Sequence, residues 1–228
     1  MVIGDKKYIY SKGLAFYAEL ESQRLEKELA NGWLIESINF LGWYKLKKIK
    51  KEEAHMVIDF FPDKKAELVD YLEFYQASGW NKVASYRNRY FVFKAPINTE
   101  SVYTDEESYT TRIKKESIWF MLNSLIVSVF GIIWLFLLNS QKFGIGFSEE
   151  NFWYGFLQGI GVALLSFPLL ILILIIYYKV VYLRRSSYFK KPENYAKKQR
   201  FIRDIFVTML IGAIVGGLLG FLFGINSI

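Results

Sequence analysis

Hydrophobic positions follow two different patterns along this 228-residue chain. Over roughly the first hundred residues apolar and charged positions interleave at the spacings of short strands and amphipathic helices; beyond residue 116 apolar residues merge into long uncharged runs. In the first region, Leu14, Ala18, Leu25 and Leu29 recur at helical spacing, as do Leu68, Val69, Leu72 and Tyr75, and each set predicts an amphipathic helix. A glycine follows each helix, Gly32 and Gly79, where the chain has to turn into a left-handed conformation. Strands follow: Leu34 to Phe40 and Trp43 to Ile49 after the first glycine, Asn81 to Tyr86 and Arg89 to Ala95, joined at Arg87-Asn88, after the second. Extended segments at Lys6 to Ser11 and His55 to Phe61 precede the helices, and Pro62-Asp63 ends the second of them with Asp63 placed as an N-cap.

The same unit, βαββ, therefore occurs twice. Glu28-Leu29-Ala30-Asn31-Gly32-Trp33 is echoed by Tyr75-Gln76-Ala77-Ser78-Gly79-Trp80, which places Gly32, Trp33, Gly79 and Trp80 at equivalent points of an internal repeat. Six strands in one mainly antiparallel sheet, with two helices on one face, is the economical packing for such units, and it gives an α+β domain. Trp33, Trp43, Trp80, Tyr86, Tyr90, Phe91 and Phe93 are expected to supply much of its core.

Three uncharged runs, Ser117 to Leu138, Asn151 to Tyr178 and Ile205 to Ile228, each exceed the roughly 20 residues needed to cross hydrocarbon. The organisation read from the pattern is an α+β domain over residues 1–100, a juxtamembrane helical linker over 101–116, and a three-helix membrane domain over 117–228 with spans at about 117–138, 152–178 and 205–224. The long middle run is expected to tilt, to bend at Pro168, or to begin as an interfacial segment around Phe152, Trp153 and Tyr154. Thr104 and Glu107 have capping-box spacing, so a helix is expected to start at Asp105 and run into the first span.

Charge adds direction. The net charge of +7 equals the surplus of one segment, Lys179 to Asp204, where Lys179, Arg184, Arg185, Lys190, Lys191, Lys197, Lys198, Arg200 and Arg203 face only Glu193 and Asp204. Basic loops stay on the cytosolic side, so the N-terminal domain is expected in the cytosol and the C-terminus outside. The same residues suit anionic lipid headgroups. Because topology accounts for the basic balance, no direct nucleic-acid binding is expected, and nothing near Met1 reads as a cleavable signal.

Candidate chemistry is sparse. With no cysteine and one histidine, His55, the chain lacks a thiolate nucleophile and a Cys- or His-rich metal site. Asp105, Glu106 and Glu107 are explained by helix capping, and Gly212, Gly216, Gly217 and Gly220 lie inside an apolar run, not in a phosphate-binding loop. No catalytic residue, metal or cofactor is expected. The stronger signal is small residues every fourth position, Gly212, Gly216, Gly220 and Gly224 in the third run and Gly155, Gly159 and Ala163 in the second, a spacing that lets helix backbones approach closely. It serves packing within the chain, homo-oligomerisation, or docking to another membrane protein.

The two Gly-Trp blocks, together with Tyr71-Leu72-Glu73-Phe74 and Val102-Tyr103-Thr104-Asp105-Glu106-Glu107-Ser108, resemble a bacterial membrane-protein family described as a domain of unknown function and often encoded beside PadR-like transcriptional repressors. The resemblance covers roughly residues 6 to 115 and implies a bacterial plasma membrane and a regulatory setting, with no catalytic residues to carry over. That family usually has Gly and Trp where this chain has Asn88 and Tyr90. The expectation is a non-enzymatic, multi-pass membrane protein whose cytosolic domain binds a partner, such as a cytosolic regulator, or a signal. The alternative is an accessory or immunity-type subunit acting through its spans on a transporter or a membrane-active peptide.

Overall fold

The computed structural model describes residues 1–103, 105–140, 152–181, 191, 194–205, 207–208 and 212. It divides into two compact units, Met1–Glu106 with Ser186–Ile228, and Glu107–Arg185.

The first unit is α+β. Strand β1 (Val2–Ile3) leads into β2 (Lys6–Tyr10), helix α1 (Ala18–Ala30), and strands β3 (Trp33–Ile38) and β4 (Trp43–Lys48); then come β5 (His55–Phe60), a 3-10 turn (Lys65–Glu67), helix α2 (Leu68–Ala77), and strands β6 (Asn81–Tyr86) and β7 (Tyr90–Ala95). The expected single sheet is instead two antiparallel sheets, one ordered β1-β2-β4-β3 and one β5-β7-β6. β3 and β6 lie beside one another, yet among the described residues no ladder joins them. Each of these two edge strands carries an extra residue, Glu36 in β3 and Val83 in β6, where the register against its partner shifts. A bulge twists an edge and ends its pairing, which keeps the sheets separate.

Helix α1 packs against both β3 and β5. The outer edge of β5 is completed by helix side chains, since Met56 N–H donates to Glu26 Oε1 at 3.0 Å and Ile58 N–H donates to Ser22 Oγ at 3.1 Å. An edge strand that would otherwise offer bare N–H groups is thereby closed. Tyr90, Phe91 and Phe93 are buried in the core together with Trp80, whereas Trp43 is 40% exposed and Trp33 and Tyr86 are half-buried. Trp43 departs from the expected core because its turn places it at the sheet end, edge-on to Tyr10 with centroids 5.5 Å apart. Asp63 caps no helix: α2 is entered through the 3-10 turn, neither element has a side-chain cap, and the Asp63 carbonyl accepts from Arg89 Nη1 at 2.8 Å.

Turn chemistry explains the remaining local geometry. Gly32 and Gly79 follow α1 and α2 with φ of +85° and +84°. Arg87 and Asn88 both take positive φ, +52° and +51°, in a two-residue turn closed by Arg89 N–H to Tyr86 C=O at 3.0 Å. This is the hairpin turn whose twist matches the strands, and Asn is among the few side chains that accept it.

The second unit holds α3 (Glu106–Asn139) and α4 (Phe152–Val181), two helices long and apolar enough to cross a membrane. Their apolar surface is largely bare, as at Leu122, Phe130 and Phe136. Pro168 lies inside α4 without ending it. The expected third span falls outside the described residues apart from 205, 207, 208 and 212, and Thr104 of the expected capping box also lies outside them; Glu107 stands in the first turn of α3.

The two helix-ending glycines differ in what surrounds them. A Cβ at Gly32 would meet the Ile49 carbonyl at 3.0 Å, whereas one at Gly79 meets only the Thr99 side chain at 3.5 Å. Gly79→Ala is expected to cost about 1 kcal/mol for its left-handed backbone and Gly32→Ala clearly more, read from denaturant unfolding of the detergent-solubilised chain by tryptophan fluorescence. Equal losses would show that the carbonyl contact carries no weight.

Candidate functional site

Both faces of β5 are covered, so a carboxylate in that strand has to enter the interior. Asp59 does so, 3% exposed, with Val57 and Phe61 of the aromatic core as its neighbours on the same face of the chain. It receives tyrosine hydroxyls: Tyr71 and Tyr75 donate to Oδ2 at 2.7 and 2.6 Å, and Tyr103 donates to Oδ1. Hydrogen bonds to a charged acceptor are the strong kind, and several are needed to hold a carboxylate in such a place. Tyr71 and Tyr75 lie one turn apart on α2, and Tyr75 stacks on Phe93 with centroids 4.0 Å apart and rings 9° from parallel. Burial, and after it the Asp59 charge, pushes both phenols well above their ordinary pKa, so both remain donors throughout the physiological range. Tyr103 belongs to the segment after β7; its bond, with Trp80 Nε1 donating to the Glu100 carbonyl at 3.2 Å, straps that segment to the domain.

Beneath the strap is a pocket of about 530 Å³, walled by Phe74, Tyr75 and Trp80 on one side and by Thr99 to Val102 on the other. Its lining is aromatic on one side and polar on the other, where Thr99, Glu100 and Ser101 stand, with Ser78 between. Among the described residues no three acidic or imidazole side chains gather. His55 stands at the start of β5, exposed, with Nδ1 3.3 Å from Glu26 Oε1.

A second polar centre joins distant parts of the chain. Helix α1 begins at Ala18 after Tyr17, which supplies no side-chain cap. The missing acceptor comes from residue 199: Leu20 N–H donates to Gln199 Oε1 at 3.0 Å. This is the third helical N–H, the one an N-cap side chain ordinarily takes. The Gln199 amide nitrogen then donates to the Phe16 carbonyl at 3.0 Å and to Glu19 Oε2 at 2.8 Å, so both ends of a fully buried side chain are used. Helical segment 194–205 docks with Gln199 through Tyr195, Ala196 and Ile202, buried positions that fall on one helix face. Nearby, Ser11 Oγ donates to the buried Glu21 at 3.3 Å, which leaves Tyr44 as the donor of the 2.8 Å bond to Ser11; burial and then Glu21 raise the Tyr44 pKa.

Lys197 and Arg200 point to solvent from this segment, Lys198 and Arg203 are half-buried, and Lys191 is exposed; Arg184, Arg185 and Lys190 lie outside the described residues. Gly216, Gly220 and Gly224 also lie outside, and among the described residues nothing stands within 4 Å of a Cβ at Gly155, Gly159 or Gly212. Close approach of α3 and α4 occurs at glycines that the four-residue spacing does not pick out. A Cβ on Gly131 would lie 2.7 Å from Leu165 N, and one on Gly161 would lie 2.5 Å from the Leu135 side chain. Ser128 Oγ donates to the Leu165 carbonyl at 3.1 Å, Trp134 Nε1 to the Leu157 carbonyl at 2.9 Å, and Tyr154 to Asn139 Oδ1 at 2.6 Å, polar contacts suited to apolar surroundings.

Sequence reasoning missed Asp59, Tyr71, Tyr103 and Gln199. Asp59 did leave a signal, a single carboxylate in the run Met56-Val57-Ile58-Asp59-Phe60-Phe61. Gln199 left none, being an ordinary polar residue in a basic segment.

Residues 18–125 match the model of a family described as Protein of unknown function (DUF2812). The match runs from the first residue of α1 into α3 and so takes in the Asp59 cluster and the pocket. No curated protein and no solved structure matches.

Gln199→Ala removes the acceptor for Leu20, and about 1 kcal/mol is expected from the lost cap alone. In hydrogen–deuterium exchange on the full chain, segment 194–205 and the first turn of α1 should lose protection while β7 keeps it. Tyr103→Phe should act at the other centre, speeding exchange at residues 99–103 and leaving 194–205 unchanged. A uniform response to either substitution would show that the two centres are not separate.

Proposed function

We propose that the chain is a non-enzymatic, multi-pass membrane protein of the bacterial plasma membrane, whose α+β domain binds a regulatory partner or signal and passes the event to its membrane helices. The observation that carries this reading is the cap of α1 by Gln199. Gln199, six residues before the third uncharged run, completes a helix of the N-terminal domain, so a partner that shifts α1 acts directly on the segment that carries it. The pocket under the Tyr103 strap is the candidate partner or signal site, since the strap leads within three residues to the start of α3.

Three finer readings accompany it. The two halves are read as a duplication, supported by matching sheet orders, by bulges at Glu36 and Val83, and by glycines at 32 and 79, all 47 residues apart. The third uncharged run is read as a third span. The domain and the basic segment are read as sharing the cytosolic side, supported by their docking in one compact unit. The accessory-subunit alternative draws on Gly155 and Gly159, whose faces are open among the described residues.

Two experiments test these readings. Because the chain has no cysteine, one introduced at Gln141 should react with an impermeant thiol reagent from outside intact cells and one at Asn194 should not; the reverse pattern would overturn the orientation. For function, deletion of the gene should change the transcript level of a discrete set of genes, and Gln199→Ala should reproduce that change although the protein stays folded and membrane-bound. If transcripts are unaffected while sensitivity to membrane-active peptides changes, the accessory reading replaces the regulatory one.

A further inference from the structure

The turn between β3 and β4 is built to hold two apolar side chains in solvent. Gly42 N–H closes the turn on the Asn39 carbonyl at 3.0 Å, Trp43 N–H donates to Asn39 Oδ1 at 2.8 Å, and Gly42 takes φ +83°. The two residues at the tip have no role in that geometry, and polar residues are usual at such places. Here they are Phe40 and Leu41, 74% and 68% exposed. The tip is braced from the second half of the domain, with the Arg87 guanidinium 4.5 Å over the Phe40 ring and the Tyr86 hydroxyl donating to the Phe40 carbonyl at 3.0 Å. Behind it stands the exposed Tyr10–Trp43 pair, the residue types that favour a bilayer's headgroup layer.

Cations gather around the same end of the domain. Arg24 Nη1 donates to the Tyr10 carbonyl at 2.7 Å, and Lys12 follows two residues on. The Gln199 cap brings segment 194–205 to the start of α1, with Arg200 next in sequence and Arg203 one turn further along. The acids nearby are already engaged: Glu21 lies 3.5 Å from Arg24, Asp204 accepts from Arg203, and Glu19 accepts from Gln199. Arg203 Nη1 is buried and makes no hydrogen bond among the described residues. The Lys12 pKa is lowered, first by burial and then by Arg203, Arg24 and Arg200, which registers the excess of positive charge.

We infer that this end of the domain, with Phe40 and Leu41 inserted and Lys12 and Arg200 facing lipid phosphates, backed by the charges of Arg24 and Arg203, docks on the surface of an anionic bilayer. Charge complementarity and chain continuity select this occupant. Anionic headgroups relieve the crowded cations, apolar tip and amphipathic aromatics suit the layer beneath, and the uncharged run starts at Ile205, two residues after Arg203. The inference rests on the membrane reading of the chain, and the test separates the two.

The probe is the full chain carrying Leu41→Cys labelled with an environment-sensitive dye, reconstituted in vesicles of phosphatidylcholine alone or with phosphatidylglycerol. Glu53→Cys, exposed beyond the opposite end of β4, is the reference position. The dye at 41 should shift to the blue and be quenched by brominated lipid in the anionic vesicles, and the dye at 53 should do neither. Lys12→Gln and Arg203→Gln should each weaken the docked population about fivefold, the effect of about one cation near an anionic surface, and Lys12→Arg should retain it. Equal spectra in the two vesicle types would overturn the inference, as would loss of the shift in millimolar inorganic phosphate at constant ionic strength, which would make the cluster a free-phosphate site. A shift that appears only when cell extract is added would overturn it in favour of a protein partner. Alkaline extraction reports on the membrane reading independently: a chain stripped from the vesicles is not embedded, whatever the dye shows.

Discussion

A helix that starts without its own cap leaves N–H groups that must find acceptors, and in this fold that requirement reaches across most of the chain. The amide of Gln199 meets the third N–H of α1 and returns its own hydrogens to Phe16 and Glu19. The bond to Leu20 is buried, so water does not replace it and removing one partner orphans the other. Helix α1 in turn is the element on which both sheets rest. Its start is fixed by residue 199, its flank closes the edge of β5 through Ser22 and Glu26, and its end turns into β3 through Gly32.

The same principle explains why the domain is two sheets and not one. Six similar strands have enough hydrogen-bonding edge to form a continuous ladder, but a ladder needs matching register and flat edges. β3 and β6 each carry an extra residue in the middle, and the outer edge of β5 is already taken by side chains. What unites the halves is packing: α1 of the first half on β5 of the second, and Arg87 and Tyr86 of the second half on Phe40 of the first.

Local structure was legible in the sequence because it rests on local signals. Helical spacing located α1 and α2, Gly32 and Gly79 marked their ends, and Arg87-Asn88 marked the hairpin between β6 and β7. Neighbours a few residues apart decide such features. The centres that organise the site were not legible, since Gln199 acts on Leu20 at a separation of 179 residues and Tyr103 on Asp59 at 44. Nothing in the composition of a basic segment distinguishes a glutamine that caps a remote helix from one that faces water. The apolar helices show a related limit: four-residue spacing picked Gly155 and Gly159, whereas shape at the contact between α3 and α4 selects Gly131 and Gly161.

These centres also decide how an event in the domain would leave it. The chain passes from the domain into α3 three residues after Tyr103, whose hydroxyl is fixed on Asp59, and into the last uncharged run six residues after Gln199. Displacing α2 moves Tyr71 and Tyr75 against the carboxylate that also holds Tyr103, and displacing α1 moves the acceptors and donor that hold Gln199. In each case the displacement strains bonds to a buried carboxylate or amide, which is penalised more heavily for losing its partners than one at the surface. Under the function proposed above, binding energy spent on either helix would be felt first at Tyr103 or Gln199, three and six residues before an apolar run, and a ligand would shift the balance only by its differential affinity for two packings.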